Sequence, residues 1–192
     1  MKASILLLLT LFFLASCQKE TKIVPQVTKV TSVATTVNQT TTSSVKPDTI
    51  PDMAAIKIKL VKDSDNSDET MFLFNHTASL NYDANVDAAY FPGYGAESLA
   101  SISKDGTDIM SYSLPYTSGM TVGLDVNAKA DGALSLQLSY QRSIPANIKI
   151  WIKDTYLKDS VNVLTANYNF KVTMADANSF GKKRFQLIIR GQ

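Results

Sequence analysis

From Ala54 to Gln192 apolar and polar residues alternate, the period of strands with one face buried and the other in water. Ile56, Ile58 and Leu60 are separated by Lys57 and Lys59. Val122, Leu124 and Val126 alternate with Thr121, Asp125 and Asn127, and Leu134, Leu136, Leu138 and Tyr140 with Ser135, Gln137, Ser139 and Gln141. The spacing recurs at Ile148, Ile150 and Ile152, at Tyr168, Phe170 and Val172, and at Phe185, Leu187 and Ile189, so each set is predicted to face one core. Met71 to Phe74 is continuously apolar, as in a strand covered on both faces, and Ile109 to Leu114 supplies another strand. Asp105-Gly106, Ser118-Gly119, Asp131-Gly132 and Phe180-Gly181 mark turns between them. No segment carries a helical period. About nine short strands at this spacing predict an all-β domain over 54–192, a single β-sandwich of Ig-like or jelly-roll-like type, with an up-and-down barrel as the alternative. A membrane-spanning barrel is disfavoured, because Lys57, Lys59, Asp125, Lys149 and Lys171 would then face lipid.

The N-terminal part departs from this pattern. Lys2 precedes an apolar run from Ile5 to Leu14. Roughly a dozen apolar residues at ~1.5 Å each make a helix of only about 18 Å, against a hydrocarbon core of ~30 Å, so residues 1–16 read as a cleaved export leader. Leu14-Ala15-Ser16-Cys17, which holds the only cysteine of the chain, has the form of a lipobox. This start resembles the bacterial lipoprotein family, and the resemblance implies that the Cys17 thiol is diacylated, that cleavage precedes it, and that the mature protein holds a membrane through lipid. Each buried methylene contributes ~0.8 kcal/mol, so several acyl chains anchor durably. With no second cysteine, an internal disulfide, a cysteine zinc site and a thiol nucleophile are all excluded. Residues 17–53 are rich in Thr, Ser and Val, contain Pro25, Pro47 and Pro51, and read as a disordered tether with an end-to-end distance of ~30 to 35 Å. A strand within Ile23 to Val37 is the alternative there.

Gln18-Lys19-Glu20 is similar to the export tag of surface lipoproteins in Bacteroidetes-type bacteria, although Thr21 and Lys22 stand where that tag continues with acids. The expected location is therefore the outer membrane with the domain at the cell surface, and the periplasmic leaflet is the alternative. Asp48-Thr49-Ile50 matches the Asp-Thr-aliphatic pattern of O-glycosylation in the same bacteria, which makes Thr49 a candidate site; Asp159-Ser160-Val161 is a weaker match. Further along, Phe74-Asn75-His76-Thr77-Ala78-Ser79, Tyr82-Asp83, Val86-Asp87-Ala88, Ser113-Leu114-Pro115 and Val122-Gly123-Leu124-Asp125-Val126 follow one another. Ile152-Lys153-Asp154, Leu164, Asn167-Tyr168-Asn169-Phe170 and Arg184-Phe185 complete the series. In order and spacing they resemble a β-sandwich module that precedes type IX secretion sorting domains. Here the chain stops at Gln192, so export is expected to rest on the lipid anchor. The resemblance implies no activity.

Candidate chemistry is sparse. Asn81, Asp83, Asn85 and Asp87 present oxygen-bearing side chains at every second position, a spacing that can wrap calcium in a loop. The glycine and closing glutamate of an EF-hand are missing. Asp83 and Asp87 match an Asp-x-x-x-Asp element of the resembled module, which implies a structural turn. A structural calcium is thus the one cofactor these residues suggest, and otherwise none is expected. Asp63 to Glu69 reads as an exposed hairpin loop. His76 is the only histidine, which excludes a histidine-rich zinc site, and no nucleophile elbow surrounds any serine. The formal charge of +2 gives no reason to expect nucleic acid, and Lys182-Lys183-Arg184 reads as a charged strand edge that resists aggregation.

The aromatic residues carry the binding signal. Between Asn147 and Lys153 the isoleucines take one parity, so Trp151 falls with Lys149 and Lys153 on the solvent side. Either the indole is a docking surface for a sugar or a protein, or a loop covers it and it extends the core. Tyr90, Phe91 and Tyr94 gather around turn residues and are expected to form a lip beside it. These features predict a non-catalytic binding or accessory module of the cell envelope, engaging a glycan or an envelope protein. A surface hydrolase with an unrecognised acid pair, or a structural subunit of a transport or secretion complex, are the alternatives.

Overall fold

The computed structural model describes residues 49–93 and 95–192. The leader, Leu14, Ala15, Ser16, Cys17, Gln18, Lys19, Glu20, the tether through residue 48, and Tyr94 lie outside the described residues. The rest is all-β, with a single-turn 3-10 helix at Ala177–Ser179 and no α-helix among the described residues. Eleven strands form one nearly closed sheet: β1 (Ala55–Val61), β2 (Ser67–Phe74), β3 (Ala88–Ala89), β4 (Glu97–Ile102), β5 (Asp108–Leu114), β6 (Met120–Ala128), β7 (Gly132–Arg142), β8 (Ile148–Asp154), β9 (Asp159–Asn162), β10 (Tyr168–Val172) and β11 (Phe185–Gly191). Neighbours follow the order β10-β7-β1-β2-β5-β4-β6-β11-β8-β9, with β3 joined to β5. Only β2 and β5 run parallel, matching Met71–Phe74 with Ser111–Leu114.

Local chemistry sets the turns. Asp63 accepts hydrogen bonds from the backbone N–H groups of Asp65 and Asn66, closing a β1–β2 hairpin whose loop is shorter than the expected Asp63 to Glu69, because Ser67, Asp68 and Glu69 already pair with β1. Gly106, at φ 89, takes the left-handed position in the β4–β5 turn that residues with a side chain rarely adopt. Strand β5 pairs with three strands, with β3 at Ile109 and Ser111 and with β4 and β2 in turn along its length. Asp108 and Ile109 pair with Ile102 and Ser101 of β4, whereas Ser111 to Leu114 pair with β2.

The predicted inward sets of β1, β6, β8, β10 and β11 are buried and form one core. Tyr140 departs from its set and is 40% exposed. Its strand carries an irregularity: Ile58 pairs with Leu138 but Lys57 with Tyr140, so Ser139 is an extra residue and the face reverses beyond it. β2 is buried on one face only, since Phe72 and Phe74 are enclosed while Met71 and Leu73 remain partly exposed. Periodicity gave no sign of β3, β4 or β9. β3 has two residues, β9 is a polar outer strand, and β4 buries the small side chains Ala100 and Ser101 in succession, which erases the alternation.

Arg184 corrects the reading of Lys182-Lys183-Arg184 as an exposed basic edge. It is 2% exposed, and its Nε and Nη2 donate to Asp154 Oδ2 at 3.0 and 2.8 Å. Nη1 donates to the carbonyls of Lys171, at 2.8 Å, and Ser179. The guanidinium lies 4.7 and 4.9 Å from the ring centroids of Phe185 and Phe170. Asp154 is fully enclosed and also accepts from the Tyr168 hydroxyl and from the N–H groups of Tyr156 and Leu157. Burial pushes the Asp154 carboxyl up, but the hydrogen bonds from Arg184, Leu157 and Tyr168 and the Arg184 charge outweigh it and hold the group below the usual range. A depressed folded value means that this stabilisation is complete above about pH 4 and is lost as pH falls through the folded value. Replacing either partner alone, as in Asp154→Ala or Arg184→Ala, strands the other charge in the core and is expected to remove about 3 to 5 kcal/mol in urea unfolding at neutral pH. Asp154→Ala should also flatten the acid limb of the stability curve; an unchanged limb would assign acid sensitivity to other carboxylates.

Candidate surface site around Trp151

The alternation of β8 turns Ile148, Ile150 and Ile152 inward and leaves Lys149, Trp151 and Lys153 on the outer face. Trp151 sits opposite Ile188 of β11 on one side and Asn162 of β9 on the other. Around it Lys153, Thr155, Lys158, Asp159, Ser160, Ile188 and Arg190 line a groove of about 390 Å³. The indole is partly buried, and its Nε1–H has no hydrogen-bond partner although the atom is enclosed. Arg190 lies over the ring, its Cζ 5.2 Å from the centroid. Arg190, on the neighbouring strand, therefore covers part of the ring.

Charge in the groove is unbalanced. Lys153, Lys158 and Arg190 face a single carboxylate, Asp159, and none of the four forms an ion pair among the described residues. Asp159 accepts from the Ser160 N–H at 2.7 Å. The groove thus offers cations and the Ser160 hydroxyl, with Thr155 Oγ1 as an acceptor because its proton goes to the Lys183 and Arg184 carbonyls; the indole N–H is enclosed beneath them. That set suits an anionic, hydroxyl-bearing ligand. Arg190 is the residue that periodicity did not single out, although its parity on β11, shared with Ile188, places it on the outer face.

The other candidates lie elsewhere. Tyr90 and Phe91, in the β3–β4 connection, do not line the groove. The Tyr90 hydroxyl donates to Asp68 Oδ2 at 2.6 Å, and burial first, then Asp68, pushes it up to about 12. Phe91 is 87% exposed. Asp83 Oδ1 accepts from the backbone and side-chain nitrogens of Asn85, and Asp87 accepts from the N–H groups of Asp83 and Ser113. Asn81 donates its N–H to the Ser79 hydroxyl. No cluster of three or more metal-binding side chains occurs among the described residues. The His76 Nδ1 meets Asp52 Oδ2 at 2.5 Å and its N–H donates to Asp52 Oδ1, which clips residue 52 to the end of β2. These bonds, the backbone one foremost, lower the Asp52 carboxyl. Thr49 is exposed, and Ser160 is exposed on β9. No helix among the described residues is long and apolar enough to cross a membrane.

Comparison of the chain with protein-family models, with curated proteins and with solved structures finds no match.

The chain has one tryptophan, so its emission reports this groove alone. Arg190→Ala should uncover the indole, shift its emission to longer wavelength and change stability by no more than about 1 kcal/mol, the scale of an exposed cation–π contact. An unchanged spectrum would mean that Arg190 does not rest on the ring in solution.

Proposed function

We propose that this protein is a non-catalytic binding module of the bacterial envelope, held by an acylated Cys17, which captures an acidic glycan in the Trp151 groove. The observation that carries the reading is the unmatched charge: Lys153, Lys158 and Arg190 converge around an indole whose N–H is unpartnered. A carboxylate or sulfate on a sugar meets the cations, ring hydroxyls meet Ser160 and donate to Thr155 Oγ1, and the indole edge adds apolar contact. The sheet is read as a sandwich whose two layers exchange at β5, because that strand pairs with β4 at one end and β2 at the other. One layer then presents the groove, and the tether sets its distance from the membrane.

The test of the groove is titration of the full chain with a uronic-acid hexasaccharide and with its neutral counterpart, read by tryptophan emission. The acidic sugar should saturate the signal, weaken as salt rises, and lose at least tenfold in affinity in Arg190→Ala and in Lys153→Ala. Equal response to both sugars, or none to either, refutes the reading, and release of shortened sugar points to the hydrolase. Anchoring is checked separately by growing cells on an alkyne fatty acid: label is expected on the wild-type protein and absent from Cys17→Ala.

A further inference from the structure

A second and larger cleft lies over β1, β7 and β10. It encloses about 830 Å³, within the ~300 to 1,000 Å³ typical of small-ligand sites. Its floor is a row across three strands in which Ser135 of β7 stands between Val61 of β1 and Asn169 of β10. Ser135 is nine-tenths buried, and its Oγ has no hydrogen-bond partner. An enclosed hydroxyl left without a protein partner is costly, and a ligand hydroxyl in the cleft can supply the missing bond. Gln137 lines the same cleft.

The wall opposite is Tyr156 with Leu157, from the β8–β9 turn, 44% and 55% exposed. Exposed tyrosines usually move freely. This one is fixed twice: its hydroxyl donates to Asp176 Oδ2 at 2.8 Å, and the buried Arg184 guanidinium lies 5.2 Å from its ring centroid. A ring held from behind and at its tip, yet open to solvent, is a preorganised stacking platform.

Charge distinguishes this cleft from the Trp151 groove. Lys62 is matched by Glu97 at 2.7 Å and Arg184 by Asp154 at 2.8 Å, which leaves Lys171 and Asp176 with opposite signs. A charged ligand would find no excess to answer it. Strand addition by a peptide is also poorly served at β10, because the Lys171 carbonyl is taken by Arg184 and the Thr173 N–H and C=O by the Ser179 hydroxyl. From the matched charges, the clamped Tyr156 and the unpartnered Ser135 hydroxyl, we infer that this cleft is a second binding site, and that it takes an uncharged saccharide chain. Sugar C–H faces lie on Tyr156 and Leu157, and hydroxyls reach Ser135, Gln137 and Asn169.

The experiment is isothermal titration of the full chain with neutral hexasaccharides of glucose, mannose and xylose, beside the uronic-acid hexasaccharide. At least one neutral chain should bind without changing tryptophan emission, and Trp151→Ala and Arg190→Ala should bind it as wild type does. Tyr156→Ala should lose at least tenfold in affinity. Ser135→Val guards against misfolding: removing the unpartnered hydroxyl should leave the melting temperature unchanged or raised while affinity falls at least threefold. Failure of every neutral sugar to bind, full binding by both cleft variants, or preference of this cleft for the charged sugar overturns the inference. None of these results bears on the Trp151 groove, which the emission titration decides.

Discussion

A guanidinium can leave water only where every one of its demands is met nearby, and Arg184 is enclosed with its charge, its hydrogen bonds and both of its faces engaged. Its partners come from four parts of the chain: Asp154 ends β8, Lys171 lies on β10, Ser179 ends the 3-10 turn, and Phe185 begins β11. The sheet order keeps β10 and β8 far apart along the path of strands, so no backbone ladder joins them. The ion pair does. Breaking it strands a charge and also frees the turn that presents Tyr156 and Leu157.

The same arrangement connects stability to the surface chemistry. Asp154 holds the N–H groups of Tyr156 and Leu157, and Arg184 backs the Tyr156 ring, so the core pair fixes one wall of the larger cleft. In the Trp151 groove a second arginine rests on an aromatic ring, but there the cation has no carboxylate partner and stays exposed. One arginine is spent on architecture and the other is left with its hydrogen-bonding fork free, which is why the two surfaces differ in the charge of the ligand they suit.

Backbone irregularity shapes what the faces carry. The extra residue at Ser139 turns Tyr140 outward beside Lys57, and the divided pairing of β5 lets a single strand join β2 to β4. Neither feature leaves a trace in composition. A bulge is one residue in a run whose hydrophobic rhythm looks unbroken, and a change of neighbour depends on the path of both partners.

The sequence by itself determined the all-β class, the inward sets of β1, β6, β8, β10 and β11 and the outward parity of Trp151, because alternation is a property of consecutive residues and most strands expose it locally. It also supplied the Leu14-Ala15-Ser16-Cys17 run on which the proposed anchoring rests. The tertiary structure alone decided that Arg184 is buried, that Arg190 lies on Trp151 while Tyr90 and Phe91 line no part of its groove, and that Ser135 and Tyr156 share a cleft. Those facts join residues distant along the chain, and ion pairing, stacking and enclosure depend on which surfaces meet after folding. The residue types permit such contacts without specifying them.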